Sequence, residues 1–247
     1  MKKSIHIFAL FLVLALSLHA NSSSFQQSAD NELAKLILPV KAAYSLSRED
    51  DPYADINKTA SGIHRDSTLN AFDNRYKAAV GRLKRQAAAI REYAKANHFN
   101  TNYCFLVDMS IPSGKKRFFV YNIKSDSLEF SSLVAHGWGS CQPGNDQLQF
   151  SNIPNSCQTS LGKYKIGHSY NGTFGLAFKL YGLDKTNSNA FERAIVLHSL
   201  SQVPDSETYP DDICNSAGCP MVSPAFLTIL SKYIKSSRKP ILLWIYN

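Results

Sequence analysis

Between Ala194 and Val222 the chain reads AIVLHSLSQVPDSETYPDDICNSAGCPMV. An apolar run ends on His198. A polar, proline-containing loop follows, and a tight Ser216-Ala217-Gly218-Cys219-Pro220 turn then presents a thiol. A thiol needs a base or a positive field to become a nucleophile near neutral pH, and imidazole is the usual base. Gly218 permits a sharp bend, so the backbone amides of Gly218 and Cys219 are expected to converge on one spot as an oxyanion hole. Ser223-Pro224 reads as the N-cap and first residue of a helix through AFLTILSKYIK. A helix N-terminus close to Cys219 favours thiolate. These parts together suit cysteine-dependent acyl transfer. Metal binding fits poorly, because no Cys-x-x-Cys pair is present and His198 and Cys219 lack two further ligands at a recognisable spacing.

At these residues the chain resembles the YkuD-type L,D-transpeptidases of bacterial cell-wall synthesis, and among them the murein L,D-transpeptidase catalytic domain branch. The small-x-Gly-Cys-Pro ending of the motif is shared with that branch. Three upstream segments add to the resemblance: FLVDMSIPSGKKRFFVYNIKS (105–125), VAHGWGS (134–140) and SLGKYKIG (160–167). The resemblance runs from about Leu69 to the end. It implies a mainly β, α+β fold, a YkuD-like curled sheet or β-sandwich behind an N-terminal amphipathic helix. It also implies a Cys219 nucleophile, a His198 base and peptidoglycan stem peptides as substrate. By the same resemblance His136, Gly137 and Trp138 border the substrate cleft, and Thr159-Ser160-Leu161-Gly162 is a structural turn into a core strand. The chain departs from the family pattern at Ser199, where glycine is usual, and in its acidic, cysteine-containing Pro210–Cys214 loop.

Residues 1–20 read as an export signal: Lys2-Lys3 as the basic end, Ile5 to Leu18 as the apolar run, Ala20 before the cut. The apolar run is shorter than the ~20 residues of a membrane span, so no stable membrane anchor is expected after cleavage. The expected location is the periplasm or cell envelope. Export leaves Cys104, Cys141, Cys157, Cys214 and Cys219, an odd number. If Cys219 is the nucleophile, Cys141–Cys157 and Cys104–Cys214 are candidate disulfides. The rival reading pairs Cys214 with Cys219 and removes the nucleophile. The net charge of +8 draws the protein to anionic surfaces without choosing among them. No helix-turn-helix, RNP-like or zinc-finger pattern points to nucleic acid.

Residues 21–66 read as a linker with one short helix over 30–38 and a loop that carries His64. A helix is predicted over 67–97, where Leu69, Phe72, Tyr76, Val80, Leu83, Ala87, Ile90 and Ala94 recur at steps of three or four. Its other faces carry Arg75, Lys77, Arg82, Lys84, Arg85, Arg91 and Lys95, read as a solvated face. Strands are predicted at 103–109, 117–123, 128–135, 162–168, 174–181, 194–198 and 241–246, with a helix over 224–235. His168 is expected to be a strand residue without a catalytic role. The long 137–160 loop between strands marks a functional or bridged segment.

The expected activity is acyl transfer through a Cys219 thioester, with Ser199 or Ser216 orienting the pair and no cofactor or metal. The expected form is a monomer. Two alternatives stand beside it: an L,D-carboxypeptidase or other exported cysteine peptidase, and a catalytically inactive wall-binding domain.

Overall fold

The structure is a computed structural model of the 247-residue chain, and it describes residues 61–142 and 147–247. The signal at 1–20, the short helix at 30–38 and most of the 21–66 linker lie outside the described residues. The chain divides at Asp73/Asn74 into two units. Of the first, only the helical backbone over 61–73 is described. Helix α1, Ser61–Ala96, runs across the division. It starts before the predicted Ser67, so His64 lies in helix rather than in a loop.

The second unit is built on one sheet of eight strands. These are β1 (Tyr103–Asp108), β2 (Phe118–Asn122), β3 (Ser127–Ser132), β4 (Gly162–Gly172), β5 (Gly175–Gly182), β6 (Val196–Ser199), β7 (Met221–Val222) and β8 (Leu242–Tyr246). Their spatial order is β3-β2-β1-β8-β4-β5-β6-β7. The pairs β1/β8 and β6/β7 are parallel and the rest antiparallel. The last strand in sequence is thus inserted at the centre, where it joins two antiparallel meanders.

One face carries the main core: Phe105, Val107, Tyr164, Ile166, Phe178, Leu180, Ile195, Leu197, Leu243 and Ile245. Helix α2, Pro224–Ser236, covers this face with Phe226, Leu227 and Leu230. Ser223 caps α2 as its sequence predicts, its Oγ accepting the Phe226 N–H at 3.2 Å. Each core strand alternates, so Lys163, Lys165, Lys179 and Val196 fall on the opposite face.

The C-terminal part of α1 buries Leu83, Ala87, Ile90 and Ala94, the predicted stripe. Two of its basic residues are anchored rather than solvated. Arg82 Nε meets the buried Asp108 carboxylate at 2.8 Å. Arg91 reaches the Ile123 carbonyl at 3.0 Å and Asp126 at 2.8 Å. The predicted 128–135 strand ends early, at Ser132, yet Leu133 to Ala135 are fully buried and Ala135 bridges to Met221. The β7 strand has no counterpart in the prediction, because its two residues carry no periodicity.

Leu230 has no exposed surface and packs between α2 and the sheet. Leu230→Ala is expected to destabilise the domain by about 2 to 5 kcal/mol, read as a lowered urea midpoint with unchanged slope.

Candidate active site

The Ser216–Cys219 turn is clasped to the 135–138 segment by backbone. The Ser216 N–H donates to the His136 carbonyl, the Trp138 N–H to the Ser216 carbonyl, and the Ala135 N–H to the Met221 carbonyl, each at 2.8 Å. Gly137 allows this approach: a Cβ there would lie 2.1 Å from the Cys157 carbonyl oxygen and 2.9 Å from Gly218 Cα. Gly218 has φ +117, and a Cβ would meet the Gln158 carbonyl oxygen at 2.9 Å. Only glycine takes that backbone without strain. The buried Ser216 hydroxyl locks the turn, donating to the Cys219 carbonyl at 2.6 Å and accepting the Gly218 N–H at 3.1 Å. The Gly218 amide is therefore turned inward. This corrects the expectation that it shares an oxyanion hole with Cys219.

His198 lies on β6, paired with Met221 of β7 and with Ala177 of β5. Its Nδ1 is 3.2 Å from the Ser199 carbonyl oxygen. A carbonyl only accepts, so Nδ1 carries the proton and Nε2 is left bare. Ser199 thus orients the ring with its backbone, and the departure from glycine there costs nothing in this contact. Phe174, from the β4–β5 turn, stacks on the ring with centroids 5.3 Å apart. Burial holds the imidazole below its ordinary value of 6.5, with the Ser199 carbonyl pulling it back up.

Two residues back along β6, the Val196 N–H donates to Cys219 Sγ at 3.4 Å, and Sγ faces the Ala194 carbonyl oxygen at 3.8 Å. Cys219 therefore lies in the bend before β7, two residues ahead of the Met221 that pairs with His198, and the thiol is turned toward Val196. Burial pushes the Cys219 thiol up, while the Val196 N–H and the Arg193 charge draw it down. Burial thus works against the thiolate that a nearby helix end would favour.

The other candidates take different places. His136 is buried rather than open to a cleft. Its Nδ1 accepts from Arg117 Nη2 at 2.8 Å, and its Nε2 faces Cys141 Sγ at 3.1 Å. Arginine only donates, so His136 carries its proton on Nε2. Burial and the Arg117 charge lower it to about 4. Trp138 is 60% exposed. His168 lies at the β4 bulge, exposed.

All five cysteines are free thiols. The expected Cys141–Cys157 and Cys104–Cys214 bridges are not formed. Cys104 is buried in β1, and Cys141 faces His136. Cys157 points to the Asn155 carbonyl, and Cys214 packs on the Leu133, Ala135, Val203, Ile213 and Met221 cluster. Cys219 instead packs on the main core, so the rival Cys214–Cys219 bridge is absent too.

Arg193 was not singled out by sequence, because one arginine ahead of an apolar strand carries no motif. Its Nη1 donates to the Ser151 carbonyl at 2.8 Å and to Ser160 Oγ at 3.2 Å, and its Nη2 to the Gln158 carbonyl at 2.6 Å. It fixes the 151–160 loop and supplies the positive field at Cys219. Arg193→Gln is expected to shift the pH profile of Cys219 alkylation by iodoacetamide to higher pH, because losing the cation raises the thiol further. Arg193→Lys keeps the charge and is expected to hold the profile near wild type. Mass mapping of the Cys219 peptide separates this thiol from the other four.

The sequence matches the family described as the L,D-transpeptidase catalytic domain, YkuD_2, over residues 75–246. A comparison with proteins of curated function finds no match. Similar solved structures include an L,D-transpeptidase from Xylanimonas cellulosilytica, at 13% identity over 59% of this chain and 60% of that one, with a TM-score of 0.34. Another is the helical cell shape determining protein Pgp2 of Campylobacter jejuni, at 12% over 59% and 47%, with a TM-score of 0.37. A third is an L,D-transpeptidase from Mycobacterium tuberculosis, at 13% over 59% and 58%, with a TM-score of 0.32. The chain spans about half to three-fifths of the length of these structures. The assignment rests on the sequence match: with well over half its length covered, the chain belongs to the L,D-transpeptidase catalytic domain family.

Proposed function

We propose that this protein is an exported cysteine acyltransferase that cross-links or remodels peptidoglycan through its stem peptides. One observation carries the chemistry. His198 is held by the Ser199 carbonyl with a bare Nε2, and Cys219 lies two residues ahead of its strand partner Met221. Family membership supplies the substrate class.

With imidazole low and thiol high, the neutral pair is the resting form near pH 7. A preformed thiolate–imidazolium pair is disfavoured. Cys219 rotates from Val196 toward His198 as the donor stem binds, and Nε2 takes the thiol proton as sulfur attacks the L,D-amide carbonyl. The Gly218 amide is engaged with Ser216, so the Cys219 amide is the backbone donor for the tetrahedral oxyanion. Collapse expels the terminal D-amino acid, protonated by His198, and leaves a thioester. The side-chain amine of a second stem attacks that thioester and forms the cross-link. With water as acceptor the product is a shortened stem, the L,D-carboxypeptidase outcome.

A carbapenem is expected to add once, to Cys219, by intact mass and peptide mapping. Cys219→Ala is expected to abolish the adduct and stem-peptide turnover, and His198→Ala to slow acylation by about 10² to 10⁴. An adduct on another residue, or turnover by Cys219→Ala at the wild-type rate, sinks the proposal. The acid limb of the acylation rate is expected below pH 6.5, because the His198 base stays unprotonated down to its lowered value. A limb above that value contradicts the neutral-pair mechanism.

A further inference from the structure

One exposed aromatic ring lies on a candidate catalytic group. Phe174 is 61% exposed, yet its ring stacks on the buried His198, with centroids 5.3 Å apart and planes 20° from parallel. Strands β4 and β5 close at the Gly172–Gly175 pair, so Thr173 and Phe174 form a two-residue hairpin turn. Gly175 alone in this turn takes a positive φ, +82, and a Cβ there would meet nothing within 4 Å. That left-handed glycine closes the hairpin without asking an unusual backbone of Thr173 or Phe174. Strand register then fixes the reach of the turn, because Ala177, three residues after Phe174, pairs with His198. Phe174 is outside the main core, so the hairpin tip presents its ring to a histidine and not to the apolar interior.

The base role asks two things of His198: a proton on Nδ1 and a bare Nε2. The hydrogen bond that secures them, from Nδ1 to the Ser199 carbonyl, is 3.2 Å long, at the outer end of the usual range. Water at the ring competes for that proton, and a histidine in water favours the Nε2–H tautomer, which has no lone pair at Nε2 to take a thiol proton. A stacked ring keeps water off one face of the imidazole and restricts its rotation. Burial is the larger of the two causes that set His198, the Ser199 carbonyl the smaller. The elements packed against β6 carry Lys179 and Tyr181 on β5, Cys219 ahead of β7, and Lys232, Tyr233 and Lys235 on α2. None of these is among the causes acting on His198, and the Gly172–Gly175 turn holds no titratable group.

We propose that Phe174 is a positioning residue for His198: its stacked ring holds the imidazole in the Nδ1–H form against the Ser199 carbonyl and so keeps Nε2 bare. This rests on the acyl-transfer reading above, in which His198 is the base. The ring acts on the base alone, through cover and orientation. Without it, water reaches the imidazolium, the charged form is less disfavoured, and His198 titrates closer to 6.5. The attraction of the ring face for an imidazolium works the other way. It is the weaker effect here, because burial leads the causes that set this histidine.

The test reads His198 directly, by nitrogen NMR of the histidine rings of the full-length protein, titrated with pH in a Cys219→Ala background where nothing turns over. Adding His198→Gln identifies its signals among those of the seven histidines. The background is expected to show the Nδ1–H tautomer and a midpoint below 6.5. Phe174→Ala is expected to raise the midpoint toward 6.5 and to bring in the Nε2–H tautomer, while Phe174→Tyr keeps the ring and matches the background. Because Phe174 is outside the core, its loss leaves the fold intact. Phe191→Ala removes another exposed ring and is expected to change neither readout. With Cys219 present, Phe174→Ala is expected to slow carbapenem acylation at pH 7 about tenfold and to move its acid limb up together with His198. An unchanged tautomer and midpoint in Phe174→Ala, a midpoint that falls, or the same shift in Phe191→Ala each overturns the proposal. Absence of a carbapenem adduct on the wild-type protein would instead count against the acyl-transfer reading, and the NMR titration does not depend on it.

Discussion

Everything at the site hangs on the backbone clasp between residues 135–138 and 216–221. It is made of three carbonyl–amide bonds and the close approach of Gly137 to the Cys157 carbonyl. Behind it stands Arg117, 1% exposed, whose guanidinium donates to Val134, Ile111 and His136. A buried cation is tolerated only when its donors are met. Here carbonyls and a neutral imidazole meet them, with the Asp212 and Asp108 charges nearby. Burial lowers Arg117 to about 10, so it is still charged at neutral pH. The cation thus fixes the segment that fixes the turn that carries the thiol.

The two candidate catalytic groups, Cys219 and His198, are set in opposite directions by one cause. Burial disfavours the charged form of each, so imidazole falls and thiol rises. A resting site of this kind has a weakly nucleophilic sulfur. In the proposed reaction it gains reactivity when a carbonyl is presented and the proton can pass to His198. Arg193 moderates the effect through its field at Cys219 and by holding the neighbouring loop.

The two faces of the sheet divide the labour. The inner face is apolar, closed by α2, and supports β6 from below through Ile195 and Leu197. The outer face meets α1 at one end and displays ordered lysines and rings at the other. Strand alternation makes this possible, because each strand that braces the site from the core also presents its other residues on the opposite face.

Alternation, helix stripes and caps were legible in the sequence because they are local. The burial of Leu83 to Ala94, the Ser223 cap and the seven long strands follow from side-chain period and backbone chemistry alone. The His198 and Cys219 motif, too, marks the family without any fold in hand. Tertiary structure alone decided the central place of β8 and the two-residue β7. It alone turned the Gly218 amide to Ser216, oriented His198 through Ser199, buried His136 against Arg117 and kept the five thiols apart. Those outcomes depend on groups remote in sequence meeting in a low-dielectric interior, where each buried donor must find an acceptor. The sequence lists the groups, and only the packed fold says which of them meet.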